Sequence, residues 1–327
     1  MKNSIFLCIS FLLVMSCQKA KNTKVSGPVF GTSYGINYYS KAHNIDRDVL
    51  DSLFNAINTS LSTYKEDSYI SKINRNQPTT VDDHFITVFN TAREVYDATE
   101  GAFDPTIGAV VNAWNFGPKG KVTGLDGIKV DSLMLSVGFD KIKLESNKVI
   151  KENPDTFIDF NAIAKGYGVD VVANYLESLG IENYLVEIGG EIRCKGINIE
   201  TQNPWRVGVE KPNFDGTQSL IKAINLYNEA MATSGTYRKF SIDDEGNRYS
   251  HIIDTETGYP SKTNLLSISV IAKNCMIADA YATAFKSMGI EKVKTFLDSH
   301  PELKVFLIFE NDQNELETLH LNGFPED

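Results

Sequence analysis

From residue 25 onward, stretches with apolar residues at every third or fourth position are interleaved with stretches where they recur at every second position. The first spacing marks the buried stripe of a helix and the second a half-buried strand. Helical spacing predicts a helix over 46–61, with Val49, Leu50, Leu53, Ile57 and Leu61 on one face. A second runs over 83–99 through Phe85, Val88, Phe89, Ala92, Val95 and Tyr96. Residues 68–74 read as a short helix or turn, and 131–137, 275–288 and 293–297 as further helices. Another begins in the stretch from Asp159, follows Ile163, Val169, Val172, Tyr175, Leu176 and Leu179, and stops at Gly180. Gly101 suits a helix C-cap, and Asp104 before Pro105 a turn or helix start. Strands are expected at 25–39, 142–150, 157–160, 184–192, 205–209, 219–226, 265–271 and 304–309, with Gly189 and Gly190 as a bulge or bend. Residues 231–240 and 249–260 read as short strands and turns rich in polar groups. The sum is an α+β fold, largely antiparallel sheets packed with helices.

The N-terminus departs from this pattern. Lys2 precedes an apolar run over 5–15 and then Ser16-Cys17, a basic start and an apolar segment too short to span a bilayer. The sequence Val14-Met15-Ser16-Cys17 resembles a bacterial lipobox. The expectation is a signal peptide over 1–16, lipidation at Cys17, a polar tether over 17–24 and one domain over 25–327. The protein would then be lipid-anchored to a bacterial membrane and face the periplasm.

Composition adds exclusions. With 42% hydrophobic and 23% charged residues among 327, the domain is globular and not disordered. A net charge of -10 without a basic run argues against nucleic-acid binding. Any anionic nucleotide would need local positive charge from a helix terminus, a lysine or a metal ion. Beyond the leader, Cys194 and Cys275 are expected as buried free thiols, a disulfide being the alternative.

Three places suggest chemistry. The stretch from Asp159 to Asp170, D-F-N-A-I-A-K-G-Y-G-V-D, sets a lysine and two glycines at a helix start, either a seat for a diphosphate or small residues for tight packing. Asp279 and Thr283 are one helical turn apart, which suits Mg²⁺ or else is a solvated acid beside a threonine bonded to its own helix. His251 is the one histidine of five in a dense polar motif, S-H-I-I-D-T-E-T-G, and is either a base near neutral pH or part of a hairpin surface. There is no G-x-S-x-G, H-E-x-x-H or G-x-G-x-x-G signature.

Eight motifs in order resemble the ApbE family of FAD:protein FMN transferases over about residues 29–308. They are G-T-S-Y from Gly31, L-S-T-Y-K-E-D-S from Leu61, G-A-F-D-P-T-I-G from Gly101, A-I-A-K-G-Y from Ala162, V-E-I-G-G-E, T-S-G-T-Y-R from Thr233, S-H-I-I-D from Ser250 and A-D-A-Y-A-T from Ala278. Two positions depart from the family pattern: Phe30 stands where methionine is usual, and Asn161-Ala162 where Gly-Gly or Gly-Ser is common. The resemblance implies a T-fold-like α+β architecture, with FAD as substrate and FMN passed to a threonine hydroxyl of an acceptor protein as AMP leaves. It implies Mg²⁺ held by Asp279, Thr283 and the Ala162 backbone, an FAD site lined by Phe30, Tyr64, Ala102, Phe103, Asp104, Lys165 and Gly168, and His251 as the base. An Mg²⁺-dependent FAD pyrophosphatase and a non-catalytic flavin carrier are the alternatives.

Overall fold

The computed structural model describes residues 20–118, 122–236, 240–242, 248–261 and 263–326. The chain opens with a hairpin, β1 (Lys21–Val29) and β2 (Thr32–Ser40), followed by helices α1 (Arg47–Leu61), α2 (Tyr69–Asn74), α3 (Asp83–Ala98), α4 (Gly108–Ala113) and α5 (Gly127–Met134). A small hairpin, β3 (Ile142–Glu145) and β4 (Lys148–Lys151), precedes α6 (Ala164–Ser178). Then come β5 (Tyr184–Ile188), β6 (Glu191–Lys195), β7 (Trp205–Glu210), β8 (Leu220–Leu226), β9 (Ala230–Gly235), β10 (Phe240–Ile242) and β11 (Arg248–Ser250). The chain closes with β12 (Leu265–Ala272), α7 (Cys275–Met288), α8 (Ile290–Leu297), β13 (Lys304–Glu310) and β14 (Leu316–Leu321).

Eight strands form one sheet in the order β1-β2-β5-β6-β9-β12-β13-β14, every neighbouring pair antiparallel. β12 is buried at all eight positions, which is why its sequence is a near-continuous apolar run. On one face it carries Ile268 and Val270, packed into a cluster with Ala278, Ala282 and Phe285 of α7. On the other, Ile271 packs with Trp205, Val207, Val209, Ile224 and Leu226 of the β7–β8 hairpin. Sheet and helices thus share a core that holds α6 and α7 side by side.

Two contacts lock that helix pair. A Cβ on Gly166 would lie 2.3 Å from the Cys275 carbonyl oxygen, so only glycine allows α6 to come this close to α7. Four residues on, Asp170 accepts from the N–H groups of Cys275 (3.0 Å) and Met276 (2.8 Å), satisfying donors that a helix start leaves unpaired. Arg193 on β6 donates to the same carboxylate at 2.9 Å.

The α+β, antiparallel expectation holds, with local corrections. Residues 25–39 are two strands, because Phe30 (φ 48°) and Gly31 (φ 75°) turn the chain back. Residues 21–24 belong to β1, paired with 37–40, and are not tether. The expected strand over 142–150 is a hairpin turned by Ser146 and Asn147, both at positive φ. Residues 157–160 form no strand among the described residues, only a single bridge from Phe157 to Ile107. Gly189 and Gly190 are the hairpin turn between β5 and β6, not a bulge. The helix expected from Asp159 starts at Ala164, and the one over 131–137 starts earlier, where Asp126 caps it by accepting from Lys129 N–H. α4 and β14 were not foreseen. Cys194 and Cys275 are buried free thiols, as expected. The leader and Cys17 lie outside the described residues, within which no helix is long and apolar enough to cross a membrane.

Candidate active site

A cavity of about 1040 Å³ opens where several loops meet the end of the α6–α7 pair. That volume lies at the upper end of the usual range for small-molecule sites, roughly 300–1,000 Å³. Its lining gathers nearly all the sequence-derived candidates: Phe30, Tyr64, Ala102, Phe103, Asp104, Ala162, Lys165, His251, Asp279 and Thr283. Residues as far apart in the chain as Phe30 and Ser287 line it together.

Asp279 and Thr283 reach the cavity from α7. Asp279 is only 4% exposed, and its Oδ2 accepts from Gly166 N–H at 2.9 Å. Burial pushes its carboxyl well above the usual carboxylate range, although Lys165 pulls the other way. The N–H of Gly166 is the one that a continuing helix would send to the Ala162 carbonyl; among the described residues no backbone bond ends on that carbonyl. Thr283 is not bonded back to its own helix. Its hydroxyl lies 3.2 Å from Ser234 Oγ on β9, so it is not the threonine bonded to its own helix that the spacing also allowed.

Lys165, in the first turn of α6, pairs with Glu191 of β6, itself 3% exposed. Burial works against the lysine's charge, but Asp279 and Glu191 outweigh it and hold its pKa above the ordinary value. The cavity wall carries five carboxylates, from Asp104, Asp159, Glu191, Glu210 and Asp279, against the two lysines Lys65 and Lys165. A diphosphate brought against this wall would meet an excess of acidic groups among the described residues, which a bound cation would offset. The donor set fits a hard cation: a carboxylate, a hydroxyl one turn on, and an unspent carbonyl at Ala162. No cluster of three or more His, Cys, Asp or Glu occurs among the described residues.

The opposite wall is built by loops. Asp104 Oδ1 accepts from Thr106 N–H (2.7 Å) and Thr106 Oγ1–H (2.6 Å), and Oδ2 from Phe139 N–H (3.3 Å). Burial raises its pKa, and these bonds partly offset the rise. Its carboxylate therefore shapes the G-A-F-D-P-T loop. Asp159 N–H donates to the Pro105 carbonyl at 2.8 Å, tying that loop to the start of the α6 segment. Thr255 donates to the Gly101 carbonyl at 2.7 Å and Trp114 Nε1–H to the Gly258 carbonyl at 2.9 Å, which fixes the hairpin after His251. The His251 ring stands edge-on to Phe116, 6.1 Å between centroids.

One residue does not line the cavity as expected. Gly168 is buried beneath Phe30: a Cβ there would lie 2.7 Å from Phe30 Cε2. It shapes the pocket through that ring, which also meets Phe54 edge-on at 5.6 Å. Tyr64 sits at the rim, 62% exposed. Sequence reasoning assigned no role to Glu191, Glu210 or Ser234, although Glu191 directly follows Gly189-Gly190 and Ser234 lies in the T-S-G run. Polar residues in strands flanked by glycine were the available signal. Tyr237 and Arg238 of the T-S-G-T-Y-R motif lie outside the described residues.

The ApbE family model matches residues 30–307. The chain is 39% identical over 322 residues to an FAD:protein FMN transferase of Vibrio cholerae, covering 95% of each chain, and 37% identical to one of Haemophilus influenzae, covering 92% of this chain and 90% of that one. The solved structure of the flavin transferase ApbE from Vibrio cholerae superposes with a TM-score of 0.83 at 37% identity, covering 92% of this chain and 97% of that one. The apo flavinyl transferase ApbE of Pseudomonas stutzeri gives 0.82 at 28% identity, covering 94% and 96%.

Proposed function

Since this chain belongs to the ApbE family and is an FAD:protein FMN transferase like its relatives, we propose that it moves FMN from FAD to a threonine hydroxyl of an acceptor protein in an Mg²⁺-dependent reaction that releases AMP. The observation that carries the metal requirement is the acidic cavity wall, five carboxylates against two lysines, beside the donor set of Asp279, Thr283 and the Ala162 carbonyl. When bound there, Mg²⁺ neutralises the diphosphate and the charge developing on the leaving phosphate.

The chain's own groups supply the rest. Lys165, kept cationic by its acidic neighbours, sits in the cavity wall and offers a charge-assisted donor to a phosphate oxygen. The rings of Phe30, Phe103 and Tyr64 offer apolar faces to the flavin, while Ala102 leaves room beside them. Asp104 holds its loop against the flavin. His251 takes the proton of the acceptor threonine as its oxygen attacks the FMN phosphorus, and the bond from that phosphorus to the AMP oxygen breaks. The attack requires a neutral imidazole, and the product ester leaves the proton on His251.

The same reading includes lipidation at Cys17, which would anchor the enzyme to a bacterial membrane on its periplasmic side.

Incubating purified protein with FAD, Mg²⁺ and a candidate acceptor domain tests the proposal. Flavin fluorescence that stays on the acceptor through denaturing electrophoresis, with one AMP released per flavin attached, is the expected outcome. Free FMN and AMP without covalent flavin would identify a pyrophosphatase, and bound but unaltered FAD a carrier.

A further inference from the structure

Ser234 is polar, lines the cavity and has no role in the reading above. It lies on β9 at the centre of the sheet, paired in register with Ile268 of β12, and its neighbour Thr233 is fixed by a 2.8 Å bond to Ser269 Oγ. Its Oγ is 3.2 Å from Thr283 Oγ1 across the gap between sheet and α7.

A helical threonine commonly spends its proton on the carbonyl one turn back. Thr87 does so to Asp83 and Thr99 to Val95, each at 2.7 Å. Thr283 makes no such bond among the described residues; its hydroxyl turns to Ser234 instead. The direction of that bond has chemical consequences. A hydroxyl that binds a cation does so through a lone pair, and its proton must point away from the positive charge. With Asp279 one turn earlier on the same face, the proton of Thr283 must leave that face, and Ser234 Oγ is placed to take it.

We propose that Ser234 is a positioning residue of the metal site. It accepts the Thr283 proton, which fixes the threonine lone pairs toward the cation beside Asp279, and its own O–H is then free to donate into the cavity, to a phosphate oxygen of the dinucleotide. This inference rests on the metal reading proposed above. Ser234 thus links a metal ligand on α7 to the substrate through a strand whose position the central sheet dictates.

Ser234→Ala and Ser234→Thr in the full chain test this, with Mn²⁺ binding in the absence of flavin as the readout, beside the Mg²⁺ concentration giving half-maximal transfer. The alanine variant is expected to lose Mn²⁺ affinity by about tenfold or more, since removing a partner of a metal ligand costs roughly 10–100-fold. Its Mg²⁺ requirement should rise in parallel, and the threonine variant should restore both. A Ser234→Ala protein that binds Mn²⁺ like the wild type overturns the inference, even if its FAD affinity falls. Full transfer by the wild-type protein in excess chelator would instead overturn the metal reading itself.

Discussion

The backbone N–H of Gly166 donates to Asp279 Oδ2 at 2.9 Å, so a bond that would have continued helix α6 is given to a carboxylate on α7. This one contact frees the Ala162 carbonyl, orients Asp279 and sets the gap between the helices. It requires glycine, because a Cβ would meet the Cys275 carbonyl oxygen at 2.3 Å and Asp279 Cβ at 2.8 Å. Backbone on the opposing helix cannot swing aside as a side chain can. Gly166→Ala is therefore expected to push α6 and α7 apart, at roughly 1–3 kcal/mol of stability, the usual range for an overpacked interior. Because the same shift separates Ala162 from Asp279, the Mg²⁺ needed for half-maximal transfer should rise well before the fold is lost. Denaturant unfolding and a metal titration on one preparation would check both; a variant with wild-type metal dependence would show that the close approach serves packing alone.

Gly168, two residues on, meets a different neighbour and should fail differently. An added Cβ would lie 2.7 Å from Phe30 Cε2, the far end of a side chain at the cavity rim. Phe30 already sits at φ 48°, where bulky residues are rare, so its backbone has little freedom to absorb a push. The ring must move instead, into the space proposed for flavin. Gly168→Val is expected to weaken FAD binding at least tenfold in a fluorescence titration while leaving Mn²⁺ affinity close to wild type. Equal losses of flavin and metal binding would instead indicate collapse of the whole helix start.

Much of the fold was legible because its signals are local. The apolar spacing of α1, α3 and α7 and the buried run of β12 follow directly from the faces they cover. The hairpins were harder: Gly31 and Asn147 are turn residues, but each follows a residue itself at positive φ, Phe30 and Ser146, inside an apolar alternation that runs on across the turn, so one strand was expected where there are two. The site divides in the same way. Asp279 and Thr283 share a helical face that spacing alone reveals, whereas their partners Gly166 and Ser234 come from elements 113 and 49 residues away. Asp104 shows the converse, since its place in a motif could not tell that its carboxylate is spent on Thr106 and Phe139.

Asp279 gives a pH dependence to metal binding. Burial raises its pKa to about 7, and the nearby Lys165 charge works to lower it. A cation must displace the proton that the buried carboxyl holds below that pH. Mn²⁺ affinity is therefore expected to fall as pH drops from 8 to 6. Lys165→Met removes the charge that favours ionisation, so the midpoint of this fall should move to higher pH. Binding that is flat across this window in both proteins would place the metal elsewhere.

Lys286 on α7 is fully buried, and its Nζ donates to Thr263 Oγ1 at 2.9 Å. Burial pulls its pKa down from 10.5 to about 8. A base with a depressed pKa in the folded state binds fewer protons there than in the unfolded chain, between the folded value near 8 and the unfolded value near 10.5. In that window stability must rise with pH. Below it both states are protonated, and the folded protein bears the full cost of a buried ammonium, about 3–4 kcal/mol at roughly 1.4 kcal/mol per pKa unit. Lys286→Met keeps most of the volume and removes the charge, so it should be more stable than wild type at pH 7, with the advantage shrinking as pH rises from 8 to 10.5. Urea unfolding of both proteins at pH 7, 8.5 and 10 measures the difference directly. An advantage that is constant with pH would mean that packing sets it, and a methionine variant less stable at pH 7 would mean that the bond to Thr263 outweighs the burial of the charge.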